Sequence, residues 1–349
     1  MRILILLGLT LITNSLFSQQ KGELVAVDAL IDTYHKADSP GFSIGIVRNG
    51  ELIYSKGVGL SDIEHQVQNS DSSIFSIASI GKQLTSACIW RLVREGRISL
   101  DDDIRTYIPE FPSYGRKRIL IRHLLNHSSG IRNYHAIMEL AGFDYNREYH
   151  DNNTVLNLAC NQHKLNNEPG EKVIYGNTTY TLLAIIIERI TGKNLDDYAS
   201  EAVFESLEMN DTYFRVDSSN YSRPNRVSNY VASKNNDFKS VRFNQTTYGA
   251  GSVGSTIVDL ARWSNVLNGI NTDYADLRDF LTTLEPLSSG EMPKYARGVM
   301  IDDYKQQQTI HHSGYGLGGR SQILTVPELK LAVIVLTNTA TIDPVVFSY

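Results

Sequence analysis

The clearest hydrophobic pattern in the chain runs from Phe75 to Trp90, and between Ser72 and Trp90 the one charged residue is Lys82. Ile80, Leu84, Ala87 and Cys88 fall on the i, i+4, i+7, i+8 template of a helix. Ile89, Leu92 and Val93 widen that face until the helix reads as buried, and Gly96 suits its C-terminal end. A second helix is predicted over Thr179 to Ile190, where Thr179, Leu182, Leu183, Ile186, Ile187 and Ile190 fill the template and Gly192 stops it. Thr256-Ile257-Val258-Asp259 has capping-box spacing and opens a third helix through Trp263 and Leu267. Leu24 to Lys36 reads as amphipathic, and Arg122 to Asn126 as a short helix running into the turn His127-Ser128-Ser129-Gly130.

Alternation replaces the helical period near both ends. Phe42, Ile44 and Ile46 alternate with small residues, Asn49-Gly50 follows, and Leu52 and Tyr54 continue the alternation, which predicts a hairpin. Ser321 to Val326 and Leu331 to Leu336 form a second strand pair across Pro327-Glu328-Leu329-Lys330. The predicted fold is α+β: one antiparallel sheet built from N- and C-terminal strands, flanked by helices, with a mostly helical region inserted. Residues 215–245 lack periodicity and read as exposed loop with one or two weak strands. Asp343-Pro344 has the form of a helix cap and first residue, so a helix is expected to start there and continue past Tyr349.

Composition narrows the class. With 42% hydrophobic and 20% charged residues the chain suits a soluble globular protein, and a single domain over residues 19–349 is expected. A net charge of −5 gives no reason to expect nucleic acid or an anionic membrane as partner. Met1-Arg2, the apolar run Ile3 to Ile12 and the polar exit to Ser18 read as a targeting segment over residues 1–18. Export to a periplasmic or extracellular location, with cleavage near Ser18, is therefore expected. No run approaches the ~20 apolar residues of a membrane span. Cys88 and Cys160 are expected as two free, buried thiols. The adjacent pair His311-His312 does not offer two ligands to one ion, so neither a metal nor another cofactor is expected.

Three stretches carry candidate chemistry. On a helix, Ser79 and Lys82 share a face, and a lysine stripped of water has its pKa pushed down, so a neutral amine can stand beside the hydroxyl. Equally, Lys82 could snorkel to water with Ser79 as a helix cap, and Ser18-Gln19-Gln20-Lys21 shows the same spacing without meaning. Tyr175-Gly176-Asn177 precedes the second helix in a loop punctuated by Pro169-Gly170. Its tyrosine can serve as acid or base if an ammonium lowers its pKa, and its amide can hold a substrate amide. Alone, the same pair reads as a packed ring and a turn asparagine. The segment His312-Ser313-Gly314-Tyr315-Gly316 is either a strand edge open to a substrate backbone or a flexible loop.

In this order the three segments resemble the serine β-lactamase and D,D-peptidase superfamily, in particular its class C-like branch, which also holds D-aminopeptidases and carboxylesterases. That pattern is S-x-x-K, Y-x-N, then K-T-G or H-x-G, here Ser79-Ile80-Gly81-Lys82, Tyr175-Gly176-Asn177 and His312-Ser313-Gly314. The likeness extends to Leu124 through Ile131, Gly251 through Arg262 and Val326 through Asn338. It implies a covalent acyl-enzyme formed on amide or ester bonds of a D-amino-acid peptide, a β-lactam or a small ester. Ser79 would be the nucleophile, Lys82 would lower its proton affinity, and Tyr175 would protonate the leaving group and activate water. Asn177, His312, Ser313, Gly314 and Tyr315 would bind substrate, and the backbone N–H groups of Ser79 and Tyr315 would form the oxyanion hole. His127 matches a family position, with a structural hydrogen bond expected. His312 stands where dedicated β-lactamases carry lysine; a histidine is mostly neutral at pH 7, which tilts the expectation towards an esterase or peptidase. A silent protein that binds peptidoglycan fragments in the same cleft is the alternative.

Overall fold

The structure, a computed structural model, describes Gly22 and residues 24–34, 38–145, 147–217, 223–233, 237–241 and 244–348. The expected targeting segment, residues 1–18, lies outside the described residues. A helix over residues 24–34 (α1) leads into β1 (Phe42–Arg48) and β2 (Glu51–Val58). Asn49 and Gly50 both take positive φ, 53° and 91°, the conformation a two-residue hairpin turn demands.

The remaining strands of the main sheet come from the C-terminal third: β3 (Met300–Tyr304), β4 (Gln307–Gly316), β5 (Gly319–Val326) and β6 (Leu331–Thr337). All pair antiparallel in the order β3-β4-β5-β6-β1-β2, so β6 locks onto β1 and joins the two ends of the chain. This is the predicted α+β sheet with β3 and β4 added to the four strands read from the sequence. The turn into β4, Lys305-Gln306, is left-handed at φ 48° and 65° without a glycine, which is why β3 left no mark in the sequence.

Between the sheet halves lie α2 (Gly81–Arg94), α3 (Ile121–Leu125), α4 (Tyr134–Leu140), α5 (Asn152–Cys160), α6 (Asn177–Thr191) and α7 (Leu195–Ala199), followed by α8 (Ile257–Leu267) and α9 (Ala275–Thr282). The helices α2, α6 and α8 contribute to one continuous core. Apolar residues of α6 are buried nearly all round, from Tyr180 to Ile187, so it acts as a central pillar rather than a surface helix.

The alternation of large and small residues in β1 proved not to be inside against outside. Phe42 and Ile44 pack with Ile31 of α1 and Phe347, while Gly45 faces α8 so closely that a Cβ there would meet Ile257 at 2.5 Å. Both faces are covered, and the small residues serve helix approach. Within residues 215–245, where exposed loop with one or two weak strands was expected, short strands pair as Tyr230–Ala232 against Phe238–Ser240, yet Arg215, Val227 and Tyr230 are buried rather than exposed. Cys160 is half-buried, not buried as expected, because α5 lies at the surface of the helical region; both thiols are free. Asp343 caps Val345 N–H at 3.0 Å, but the segment it opens, Pro344–Phe347, is a 3₁₀ turn.

Candidate active site

Ser79 sits in a 3₁₀ turn, Ala78–Ile80, immediately before α2. Ala78 holds φ at +46°, an uncommon conformation for a residue with a Cβ, and it lifts Ser79 to the mouth of the helix. Lys82, one turn on, is fully buried rather than snorkelling. Its Nζ lies 3.1 Å from Ser79 Oγ, 2.8 Å from Asn177 Oδ1 and 2.7 Å from the Ala250 carbonyl. Thus α2, the start of α6 and the loop before α8 converge on one nitrogen.

Burial drives the Lys82 pKa well below that of an exposed lysine. A neutral amine has two N–H donors and one lone pair. Ala250 O and Asn177 Oδ1 can only accept, so they take the two donors, and the lone pair is left for the Ser79 hydroxyl. In that state Ser79 donates to Lys82, the polarity a nucleophilic oxygen needs.

Tyr175 completes the group. The Lys82 nitrogen lies 4.8 Å from the centroid of its ring, and its phenol is close enough to Ser79 for the serine hydroxyl to act on it. The expected lowering of its pKa does not occur. Burial pushes the phenol up to about 12, against a smaller opposing effect of the Ser79 contact. Tyr175 is therefore a neutral donor at pH 7.

The glycine-rich segment is strand, not flexible loop, since β4 runs unbroken through Gly316. Gly314 is required by contact: a Cβ there would meet Ser321 Oγ at 2.1 Å and the Ile77 carbonyl at 2.3 Å. That closeness sets the β4 edge against the turn carrying Ser79. Ser313 Oγ donates to Gln322 at 2.5 Å, and Tyr315, exposed, faces the guanidinium of Arg320. His312 does not open to the cleft as a substrate ligand would. It is 5% exposed, its Nδ1 donates to the Ser313 carbonyl at 2.6 Å, and Tyr295 OH stands 3.3 Å from Nε2. Burial, reinforced by Lys82, pushes its pKa down to about 3, so the ring is neutral well below pH 7.

Two residues without any motif tie these parts together. Tyr295 stands 4.6 Å, ring to ring, from His127, and Tyr180 OH donates to the Leu125 carbonyl at 2.7 Å and lies 3.2 Å from Ser86 of α2. Tyr180 lies on the predicted helix but outside the apolar face read from the sequence, and Tyr295, in Lys294-Tyr295-Ala296, had no signal. His127 bonds Thr179 Oγ1 through Nδ1 at 3.1 Å and packs 4.5 Å from the Tyr175 ring, which matches a structural role. Beside Ser79 opens a cleft of about 390 Å³, lined among others by Asn177, Tyr134, His150 and Leu317. Among the described residues no cluster of His, Cys, Asp and Glu could hold a metal, and no helix is long and apolar enough to cross a membrane.

Known proteins resemble this chain in sequence and fold over most of its length. The chain is similar to protein Flp of Staphylococcus aureus strain N315, 27% identical over 339 residues, which span 94% of this chain and 64% of that protein. It therefore covers just under two thirds of the length of that relative. Penicillin-binding protein 4* of Bacillus subtilis strain 168 is 27% identical over 310 residues, 83% of this chain and 66% of the relative. Among solved structures, an octameric penicillin-binding protein homologue from Pyrococcus abyssi superposes with a TM-score of 0.79 at 26% identity, over 94% of this chain and 75% of that one. The β-lactamase family model matches residues 27–346, and the chain belongs to that family.

Proposed function

We propose that the protein hydrolyses amide or ester bonds of small acyl or D-amino-acid substrates through an acyl-enzyme on Ser79. The observation that carries this is the hydrogen-bond polarity at Lys82, whose two N–H donors have acceptor-only partners. As Ser79 Oγ attacks the carbonyl carbon, its proton passes to Lys82 Nζ. Tyr175 gives its own proton to the departing nitrogen or oxygen and is restored from Lys82, so the site ends neutral. In deacylation a water loses its proton by the reverse path. Backbone N–H groups of Ser79 and Tyr315 would face the developing oxyanion, while Asn177, Ser313 and Gly314 line the substrate's course.

His312 supports esterase or peptidase activity over a dedicated β-lactamase. A buried, neutral imidazole offers no cation to a substrate carboxylate, and its contribution is to hold the β4 edge. We also read residues 1–18 as an export signal preceding a single domain over 19–349; N-terminal sequencing of the product from its natural host tests this.

A fluorophosphonate or fluorescent penicillin probe tests the central reading. Labelling that Ser79→Ala abolishes is expected; intact protein without label would leave a silent binding protein. Turnover of nitrocefin, a D-Ala-D-Ala peptide and a p-nitrophenyl ester then ranks the substrates, and strong preference for nitrocefin would reverse the assignment drawn from His312.

A further inference from the structure

The cleft beside Ser79 is one-sided. Its lining includes Ser79 and Asn177 but neither Tyr175 nor His312. Its lining also includes a wall of four rings close to one another, Tyr134, His135, Tyr145 and His150. These rings form a contiguous set, with centroids 4.1 Å apart for Tyr134–His135, 5.8 Å for His135–Tyr145 and 5.5 Å for Tyr145–His150. Phe143 backs them, edge-on to Tyr145 at 5.1 Å and to His150 at 5.4 Å.

The histidines in this wall are not cations. Burial lowers the pKa of both, that of His135 to about 4. His150 is 1% exposed, and neither of its ring nitrogens makes a hydrogen bond of ordinary geometry within the described residues. Gln245, paired with it on a short parallel ladder, faces the ring and restores part of its basicity. These four rings therefore present neutral aromatic faces, with Arg215 the one charged residue among the described residues that line the same cleft. Such surfaces favour an incoming flat ring, stacked offset or edge-on, over a saturated group of the same size.

We propose that this wall is the pocket for the acyl side chain of the substrate, and that the side chain it takes is a flat aromatic ring. The proposal rests on the acyl-transfer reading above. Tyr175 there protonates the leaving group, so the leaving group lies on the Tyr175 side and the acyl group extends into the cleft that Tyr175 does not line.

Thioesters with one aliphatic thiol leaving group and acetyl, cyclohexylacetyl or phenylacetyl acyl groups test it. Expected is a kcat/KM for phenylacetyl above cyclohexylacetyl by about 5-fold and above acetyl by about 30-fold. Tyr145→Ala, at a ring that is 37% exposed, and His135→Ala should each bring the phenylacetyl to cyclohexylacetyl ratio towards unity. A wild-type ratio near one, with all thioesters turned over, would overturn the pocket and leave the hydrolase standing. Calorimetric binding of phenylacetamide and cyclohexylacetamide to Ser79→Ala protein separates pocket from chemistry. Tighter phenylacetamide binding without thioester turnover supports the pocket while removing the acyl-transfer reading, and equal or absent binding removes the pocket.

Discussion

Lys82 donates to the Ala250 carbonyl at 2.7 Å, and that contact decides which way the Ser79 hydrogen bond runs. A carbonyl cannot return a proton, nor can Asn177 Oδ1 at 2.8 Å. With both occupied, a neutral lysine has one position left, and the serine hydroxyl fills it. The catalytic polarity follows from two acceptors, the Ala250 carbonyl and the Asn177 amide oxygen, that hold both N–H bonds of the amine.

Replacing the amine should therefore separate chemistry from folding. In Lys82→Met, labelling of Ser79 is expected to slow by about 10²–10⁴-fold. Stability should change by no more than about 2 kcal/mol, because the loss of two hydrogen bonds is offset by removing a group costly to bury. Probe kinetics and urea unfolding on the same preparation measure both, and a large stability loss would contradict the offset.

Tyr175→Phe should discriminate between leaving groups. A neutral phenol that donates a proton matters most for an amine and least for a stable thiolate. Amide turnover is expected to fall about 10²–10³-fold, and thioester turnover much less. Equal losses on matched amide and thioester substrates would argue that the ring only shapes the site.

Buried neutral histidines make the fold acid-sensitive. Unfolded, His312 would titrate near 6.5; folded, its pKa is about 3. Between those values the unfolded chain binds the extra proton, so stability is unaffected above pH 6.5 and falls as pH drops through 6.5, by about 1.4 kcal/mol per unit at most. Denaturant unfolding from pH 7.5 to 5 should show this decline, and His312→Asn should flatten it. An unchanged slope in that variant would show that His312 ionises freely in the native state.

Gly314→Ala probes the packing that brings β4 to the nucleophile. Its methyl would overlap the Ile77 carbonyl and Ser321 Oγ, so β4 must shift. A stability loss of about 1–3 kcal/mol is expected, together with slower labelling. Thermal unfolding and probe kinetics check the pair; wild-type values in both would mean the strand edge tolerates displacement.

Much of this was legible in the sequence because local rules and the global fold agree. Asn49-Gly50, the Thr256 cap and the apolar faces of α2 and α6 each specified their element directly. The absence of any other charge nearby made burial of Lys82 one of two readings, and the fold chose it over snorkelling. Illegible were features that arise only from tertiary neighbours. Tyr295 carries no pattern, yet it meets His312 and His127 because the chain before β3 folds back over them. The upward shift of Tyr175 depends on desolvation, which no motif encodes. His312 was readable as weakly cationic, but its removal from the cleft came from the Ser313 and Tyr295 contacts.

The central claim is that Lys82 is an unprotonated amine at neutral pH. A ¹³Cε-lysine NMR titration of the native protein, with the Lys82 signal identified by its absence in Lys82→Met, measures it directly. Titration of that signal well below those of the surface lysines is the result expected. A Lys82 signal that titrates along with the surface lysines, near the ordinary value of about 10.4, would contradict it.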